Sequence, residues 1–174
     1  AVGVMLLLGQ TLWAAARRET LPEGTYQNDV GLRLPSYNLL SRGGQPRKTL
    51  DLLASAEYDI ALFQEVGTRW NKALNAELAG RFPHVESHPH CSNGLAIYSR
   101  FPLSQPKVLY NKRNKHFAQC VTVSSGQEKW TVCNVHFSSP ARAFSSPSDA
   151  LSILWENSNF RREEWQLVRE ELKR

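Results

Sequence analysis

The hydrophobic positions of the chain change their spacing several times, and each spacing predicts an element. An unbroken apolar run from Ile60 to Phe63, rich in strand formers, predicts a buried strand over residues 59–66. Helical spacing of leucine, alanine and tryptophan predicts helices over residues 49–57 and 68–79. An alternating segment predicts another strand over residues 31–40. The order strand, helix, strand, helix predicts that the two strands pair in parallel through a crossover.

Proline, glycine and threonine sharpen these boundaries. Pro35 has no N–H to donate, so it predicts an edge strand or a bulge. Pro46 suits the first position of the helix that follows it. Thr68 is a candidate N-terminal cap of the next helix, and Gly80 is its candidate end.

The second half of the chain has the shorter period that is typical of strands. Residues 95–98 and 107–110 predict short strands, and the first of them follows an Asn93-Gly94 turn signal. Residues 138–159 form a Ser/Pro-rich connection with one helical turn. The chain then carries an amphipathic helix over residues 160–173, for which we expect Trp165, Val168 and Leu172 on the inward face.

Residues 117–124 and 129–137 predict a hairpin whose loop is Gly126-Gln127, a type II′ turn with glycine first. This loop places Val121 opposite Val132 and Cys120 opposite Cys133. Cysteines opposed in this way are expected to stay free thiols, with a strained disulfide as the alternative. No two cysteines have the spacing of a zinc site.

The amino-terminal segment is almost wholly apolar. As a helix, residues 1–16 would be about 24 Å long, which is short of the roughly 30 Å of a bilayer core. Three interpretations are open: the end of a transmembrane helix, a signal peptide that ends at the small residues 14–16, or a helix packed on the domain. We therefore divide the chain into an apolar segment at 1–18, a linker at 19–30 and one domain at 31–174.

Composition and charge limit the class of protein. A chain of 174 residues that is 41% hydrophobic can bury a core, which excludes a disordered protein. The net charge of +5 suits a polyanionic partner such as nucleic acid, a nucleotide or an acidic lipid surface, although a mildly basic surface without a function explains it equally well. There is no lysine- and arginine-rich run of the kind that marks a nucleic-acid tract.

Four polar residues lie near the ends of predicted strands: Asn38, Glu65, Asn134 and His136. A carboxylate that follows a buried strand is costly to bury unless it is paired or binds a metal ion. Taken alone, each of the four has an ordinary structural explanation, as a turn former, a solvated loop residue or a packed core histidine. The sequence segments around these four residues are more informative than the residues themselves.

Four segments together resemble the endonuclease/exonuclease/phosphatase superfamily, which includes pancreatic deoxyribonuclease, abasic-site endonucleases and neutral sphingomyelinases. They are LPSYNLL, DIALFQEV, NGLAIYSRFPL and NVHFSSP, followed by a helix with Arg161 and Gln166. The resemblance covers roughly residues 32–173. It implies an α/β (α+β) fold, a four-layer αββα sandwich of two mixed sheets flanked by helices, of which the chain holds the N-terminal half to two-thirds.

The resemblance also implies a phosphoester hydrolase, a nuclease, phosphodiesterase or phosphatase, that depends on Mg²⁺ or Mn²⁺. Glu65 and Asn38 match metal-binding residues of the family, and His136 and Asn38 match residues at the scissile phosphate. Asn134 and Gln64 are implied as support for the site or as contacts to the substrate phosphate. A hard cation with few carboxylate ligands is consistent with these residue types.

Two family motifs are missing. No Gly-Asp-x-Asn occurs, and Ser148-Asp149 is followed by alanine rather than histidine. We interpret the chain as truncated at both ends and expect that these residues alone do not turn over substrate efficiently. The alternative is a catalytically dead module that keeps the fold and binds a phosphate or a partner.

The identity of the partner follows only from general features. The expected partner is a phosphoester: a nucleic acid, a phospholipid or a nucleotide. Residues 1–16 suggest membrane association of a bacterial type or secretion to the periplasm or medium, with the side of the membrane left open. The sequence indicates no obligate protein partner.

Overall fold

The computed structural model describes residues 3–8, 32–40, 46–55, 57–113, 115–139 and 147–173. Within these ranges the chain forms eight strands and three α-helices, with a single 3₁₀ turn at Pro147–Asp149. In chain order they are β1 (Gly3–Leu8), β2 (Ser36–Asn38), α1 (Pro46–Ser55), β3 (Ile60–Gln64), α2 (Thr68–Leu78), β4 (His84–His88), β5 (Leu95–Ser99), β6 (Leu103–Tyr110), β7 (His116–Ser125), β8 (Glu128–Val135) and α3 (Ala150–Leu172).

The strands form two mixed sheets. One has the order β1-β8-β7-β6 and the other the order β2-β3-β5-β4. Each has one parallel pair, β1 with β8 and β2 with β3, and its remaining pairs are antiparallel. The parallel pairing of β2 with β3 across α1 confirms the crossover that the sequence predicts.

Apolar residues fill three layers of core. Between the sheets, Ile60 and Leu62 of β3 pack with Val121 and Val132 of the β7–β8 hairpin. The outer face of the β3 sheet packs on α1 and α2, and the outer face of the other sheet packs on Val168 of α3. Two sheets with helices on both outer faces confirm the predicted mixed α/β sandwich.

The β7–β8 hairpin has the predicted register. Val121 lies opposite Val132 and Cys120 lies opposite Cys133, and Gly126 has a φ of +60° at the first loop position. The expectation of free thiols is wrong, because Cys120 and Cys133 are joined by a disulfide bond. Direct opposition on neighbouring strands brings the two sulfur atoms within bonding reach and makes the bridge compatible with the ladder.

Helix α3 differs from its prediction in length and in orientation. It runs without a break from Ala150, whereas the sequence predicted only one turn before residue 160. Trp165 does not point inward: it is 36% exposed, while Glu164 beside it is 1% exposed. The inward positions Asn157, Glu164 and Val168 follow helical spacing, and Glu164 takes its place there because it finds hydrogen-bond donors.

One of the two helix-end predictions for α2 is also wrong. Gly67 is the N-terminal cap and Thr68 is the first helical residue, with no side-chain cap bond. The helix ends at Leu78 with Ala79 as the C-terminal cap, so Gly80 takes the position just past the cap, where glycine commonly ends a helix, as predicted. Strand β4 was not predicted, because its polar sequence HVESH lacks the apolar alternation of a half-buried strand.

The apolar amino terminus contains a strand rather than a helix. Gly3–Leu8 pairs in parallel with β8, so the expected helical conformation is wrong for these residues. The edge of β8 offers a row of backbone N–H and C=O groups, and the apolar segment pairs with them as a strand. Residues 9–31, including the rest of the predicted segment and its linker, lie outside the described residues. Among the helices that the structure describes, none combines the length and apolar character needed to cross a membrane.

Candidate functional site

Glu65 follows β3 directly and has an unusual backbone. Its φ is +58°, in the left-handed region that a residue with a side chain occupies at a cost of about 1–2 kcal/mol. The next residue holds this turn in place: Val66 N donates to Gly94 O at 2.9 Å, and His90 N donates to Val66 O at 2.9 Å. The strained turn aims the carboxylate away from the ladder at the carboxyl end of β3.

Gly94 is needed for this turn because of space. A Cβ atom at position 94 would lie 2.0 Å from the Val66 carbonyl oxygen, far inside van der Waals contact. Only glycine allows the loop before β5 to approach the Glu65 turn so closely. The Asn93-Gly94 pair therefore serves the approach of two backbones as well as the chain reversal that the sequence predicted.

Asn38 reaches the same point from the neighbouring strand. Because β2 and β3 are parallel and Asn38 pairs with Gln64, their carboxyl ends meet at one edge. Asn38 Nδ2 donates to Glu65 Oε1 at 2.9 Å, and Asn38 Oδ1 accepts from Leu40 N at 3.0 Å. The amide thus orients the carboxylate and is itself fixed by its own chain.

His136 comes from the other sheet. It lies one residue past the end of β8, where its backbone N donates to Phe117 O at 2.7 Å. Its Nε2 atom is 3.9 Å from Glu65 Oε1. Burial lowers the pKa of the His136 imidazole, and the nearby carboxylates of Glu65 and Glu164 raise it only in part. The ring is therefore mainly neutral at neutral pH.

Two buried amides join the sheets beneath this site. Gln64 and Asn134 are both 0% exposed, and Gln64 Nε2 donates to Asn134 Oδ1 at 2.6 Å. Asn134 Nδ2 donates to the carbonyl oxygens of Phe63 at 2.8 Å and Ala96 at 3.1 Å. Gln64 is the residue before Glu65, and Asn134 lies two residues before His136. The bond between the two amides therefore helps to set the distance between Glu65 and His136. Both amide side chains therefore lie beneath the surface of the site rather than on it.

Glu164 lies near the site although it is not among the residues predicted from the sequence. Its carboxylate accepts from Ser138 N at 3.0 Å, from Ser138 Oγ at 2.7 Å and from Asn111 Nδ2 at 2.9 Å. These bonds tie the segment after His136 and the loop between β6 and β7 to helix α3. Glu164 and His136 also line one cavity of about 250 Å³. Only the helical spacing from Asn157 to Glu164 to Val168 could have marked it as an inward residue.

A family model described as the Endonuclease/Exonuclease/phosphatase family matches residues 36–170. This match spans β2 to α3 and includes every residue of the site. The chain belongs to the endonuclease/exonuclease/phosphatase family. No curated protein sequence matches the chain closely enough to add a more specific assignment.

Solved structures support the fold of this family member. A truncated TDP2 from Caenorhabditis elegans is 17% identical and superposes with a TM-score of 0.54 over 72% of this chain and 57% of its own. An endonuclease/exonuclease/phosphatase from Beutenbergia cavernae is 16% identical, with a TM-score of 0.56 over 74% of this chain and 42% of its own. A D. rerio TDP2 complexed with single strand DNA product is 14% identical, with a TM-score of 0.55 over 74% and 56%. The chain thus spans about half the length of the structures that it resembles.

The donor atoms of this family member fit a hard cation better than a soft one. Glu65 supplies a carboxylate and Asn38 an amide oxygen, the types that Mg²⁺ takes together with water and substrate phosphate. Within the described ranges, no group of three or more His, Cys, Asp or Glu side chains could hold a metal ion.

Three basic side chains, those of Lys112, Arg113 and Arg100, form ion pairs within the described residues. Lys112 forms an ion pair with Glu163, and Arg113 forms one with Glu156 and lies over the ring of Phe160. Arg100 pairs with Asp59, which precedes β3 and so lies at the opposite end of that strand from Glu65. These contacts show a structural use for each of the three cations.

Proposed function

We propose that the protein is a phosphoester hydrolase that depends on Mg²⁺ or Mn²⁺ and acts at the Asn38–Glu65–His136 site. The observation that carries the proposal is the meeting of these side chains from two sheets: Asn38 Nδ2 lies 2.9 Å, and His136 Nε2 3.9 Å, from the same Glu65 oxygen. Membership of a family named for endonucleases, exonucleases and phosphatases supports the reaction class.

Glu65 and Asn38 would hold the cation in this proposal. When bound, a divalent cation supplies Lewis-acid stabilisation of charge on a phosphoryl oxygen. The Asn38 amide keeps the carboxylate in one orientation, and the turn at Val66 holds the Glu65 backbone at the carboxyl end of β3. The protein's contribution is therefore a fixed donor geometry rather than a large number of ligands.

His136 would act on the substrate directly. Its neutral ring can donate a hydrogen bond from an N–H group to a phosphoryl oxygen, which stabilises negative charge that develops there. A bound phosphate would also raise the pKa of the ring, because a nearby negative charge favours imidazolium. Gln64 and Asn134 would maintain the distance between the two halves of the site.

The substrate that we favour is a nucleic acid, with phospholipid or nucleotide phosphoesters as alternatives. The net charge of +5 supports a polyanion. One of the similar structures is a TDP2 complexed with single strand DNA product. Because the sequence carries neither Gly-Asp-x-Asn nor Ser-Asp-His, we further propose that these 174 residues alone turn over substrate slowly. Membrane association or secretion through residues 1–16 stays a prediction.

Metal binding and hydrolysis test the proposal separately. Calorimetric titration with Mn²⁺ should show one site in the wild type, lost in Glu65→Gln and kept in Glu77→Gln, a control on the exposed face of α2. Hydrolysis of bis(p-nitrophenyl) phosphate, by this chain and by the full gene product, should need the metal and fall at least a hundredfold in Glu65→Gln. Equal rates in wild type and Glu65→Gln would overturn the assignment. Oligonucleotide binding without any metal-dependent hydrolysis would identify a catalytically dead binding module instead.

A further inference from the structure

A second cavity adjoins the one that contains His136. It has a volume of about 390 Å³, in the range of cavities that bind small ligands. The two cavities share Asn93, Lys115 and His116 in their walls. We call the second cavity the ring groove, defined by His88, His90, Asn93, Tyr110, Lys115 and His116. A chain-like ligand with one phosphate at His136 could continue into the ring groove without leaving the surface.

Three rings line this groove, and those of His90 and Tyr110 each lie close to that of His116. The centroid of His116 lies 5.7 Å from that of His90, with an interplanar angle of 73°. It lies 6.3 Å from that of Tyr110, with an angle of 54°. His90 and Tyr110 are exposed, with Tyr110 at 53%. Flat side chains that stay exposed in a concave wall offer stacking surfaces to a planar ligand.

The central ring is held in place and is uncharged. Asn93 Nδ2 donates to the backbone oxygen of His116 at 2.9 Å, which anchors the start of β7 to the loop before β5. Burial lowers the pKa of the His116 imidazole, and the neighbouring His90, His88 and His136 lower it further. At neutral pH the His116 ring is therefore mainly neutral, and its face suits a base better than a phosphate.

The charged residues around the two cavities favour one path for a polyanionic ligand. Lys115 lines both cavities, and its ammonium group forms no ion pair within the described residues, whereas Lys112 and Arg113 are paired with acidic residues of α3. On the other side of Tyr110, a cavity against α3 is lined by Glu163 and Glu170. A polyanion that leaves His136 would pass over Lys115 and avoid the acidic surface.

We propose that the ring groove binds one unpaired nucleotide of a single-stranded nucleic acid, with its base against the rings of His90, His116 and Tyr110 and its phosphate at Lys115. This proposal rests on the proposed function, because it assigns the neighbouring phosphodiester to His136. Stacking on aromatic rings together with a basic groove binds single strands with little sequence preference. A base inside a duplex is stacked on its neighbours and would have to be extruded to reach the rings.

Binding without turnover tests the groove. The probe is a fluorescein-labelled oligothymidylate of ten nucleotides, titrated with the full chain in EDTA and low salt while anisotropy is measured. Tyr110→Ala and His90→Ala should each weaken binding about tenfold, and Tyr110→Phe should bind like the wild type because the ring is kept. Lys115→Ala should weaken binding and reduce the slope of log K against log salt by about one.

Matched controls lie outside the groove. Trp155→Ala removes a 72% exposed ring of α3, and Lys129→Ala removes an exposed cation near the β7–β8 loop. Both should bind the oligonucleotide like the wild type. A thermal melt of each variant shows that it is folded, and Tyr110→Phe separates loss of stacking from loss of structure.

The outcomes also distinguish this proposal from the proposed function. Three results would each overturn the proposal that the ring groove binds a nucleotide. They are wild-type affinity in Tyr110→Ala and His90→Ala, equal affinity for duplex and single strand, and no binding by the wild type. Metal-dependent hydrolysis that is lost in Glu65→Gln would leave the proposed function standing in all three cases. Ring-dependent binding without hydrolysis would support the groove and overturn the hydrolase.

Discussion

Glu65 Oε1 and His136 Nε2 lie 3.9 Å apart although the two residues belong to different sheets. Neither residue is inside a strand: each follows one, β3 or β8. Their distance therefore depends on how the ends of the two sheets are joined. The bond between Gln64 and Asn134, the residues at or near those strand ends, is the direct link.

Replacement of Asn134 by leucine should weaken this link. The change leaves the carbonyl oxygens of Phe63 and Ala96 without the donor that they share, and we expect a loss of about 2 kcal/mol in the free energy of unfolding. Urea titration measures it. A double-mutant cycle with Gln64→Leu should show a coupling of about 1 kcal/mol, while additive effects would mean that the two amides act independently.

Replacement of Glu65 should reveal the strain of its backbone. Glu65→Gly and Glu65→Ala both remove the carboxylate, but only glycine adopts a φ of +58° without a steric penalty. We expect Glu65→Gly to be about 1 kcal/mol more stable than Glu65→Ala in urea unfolding. The pair serves as its own control, and equal stability would show that the turn relaxes once the carboxylate is gone.

Acidification should lower the free energy of unfolding in part through protonation of Asp59. Burial raises the pKa of its carboxyl group, but hydrogen bonds from the backbone and side chain of Arg33, with the charges of Arg33 and Arg100, outweigh burial and hold the pKa below its usual range. A lowered folded-state pKa gives stability that is fully present above the unfolded-state pKa of about 3.9 and is lost as the pH falls through the folded value.

The difference in unfolding free energy between wild type and Asp59→Asn should therefore be constant near neutral pH and shrink below about pH 4. Urea unfolding at a series of pH values measures it. Asp51→Asn, an exposed change on α1, should show no such trend. A difference that stays constant down to pH 2 would contradict the role of the Arg33–Asp59 contact.

Replacement of Glu164 should lower the free energy of unfolding more than replacement of its neighbour Glu163. Glu164→Gln presents an amide N–H₂ group to donors and should cost about 1–2 kcal/mol, whereas Glu163→Gln breaks only an exposed ion pair with Lys112 and should cost no more than about 0.5 kcal/mol. Because the Glu164 carboxylate raises the pKa of His136, that pKa should fall further in Glu164→Gln. Proton NMR titration of the metal-free protein measures it, and an unchanged His136 titration would show that the two groups are not coupled.

The sequence predicts those elements whose pattern of apolar and turn-forming residues fits only one type of secondary structure. The β7–β8 register follows from the alternation of apolar residues and from glycine at the first loop position, and both are local. The convergence of Asn38 and Glu65 follows from parallel pairing of two strands that each end in a polar residue. These features need no knowledge of distant contacts.

The remaining features depend on partners far along the chain. The apolar run Gly3–Leu8 fits a helix or a strand, and its pairing with β8, more than a hundred residues away in sequence, decides the matter. A glutamate on an amphipathic helix is normally solvated, so Glu164 becomes recognisable only when Ser138 and Asn111 are seen to reach it. The polar β4 strand likewise forms only because β5 provides a ladder for it.

Gly94 has a consequence for how mutational scans of this domain would be interpreted. It has no side chain, yet a single Cβ atom there would collide with the Val66 carbonyl oxygen. Every substitution at position 94 should therefore inactivate the protein as thoroughly as changes at Glu65 do. A scan scored by activity alone would rank this glycine among the catalytic residues, and a parallel scan scored by protein abundance would separate the two.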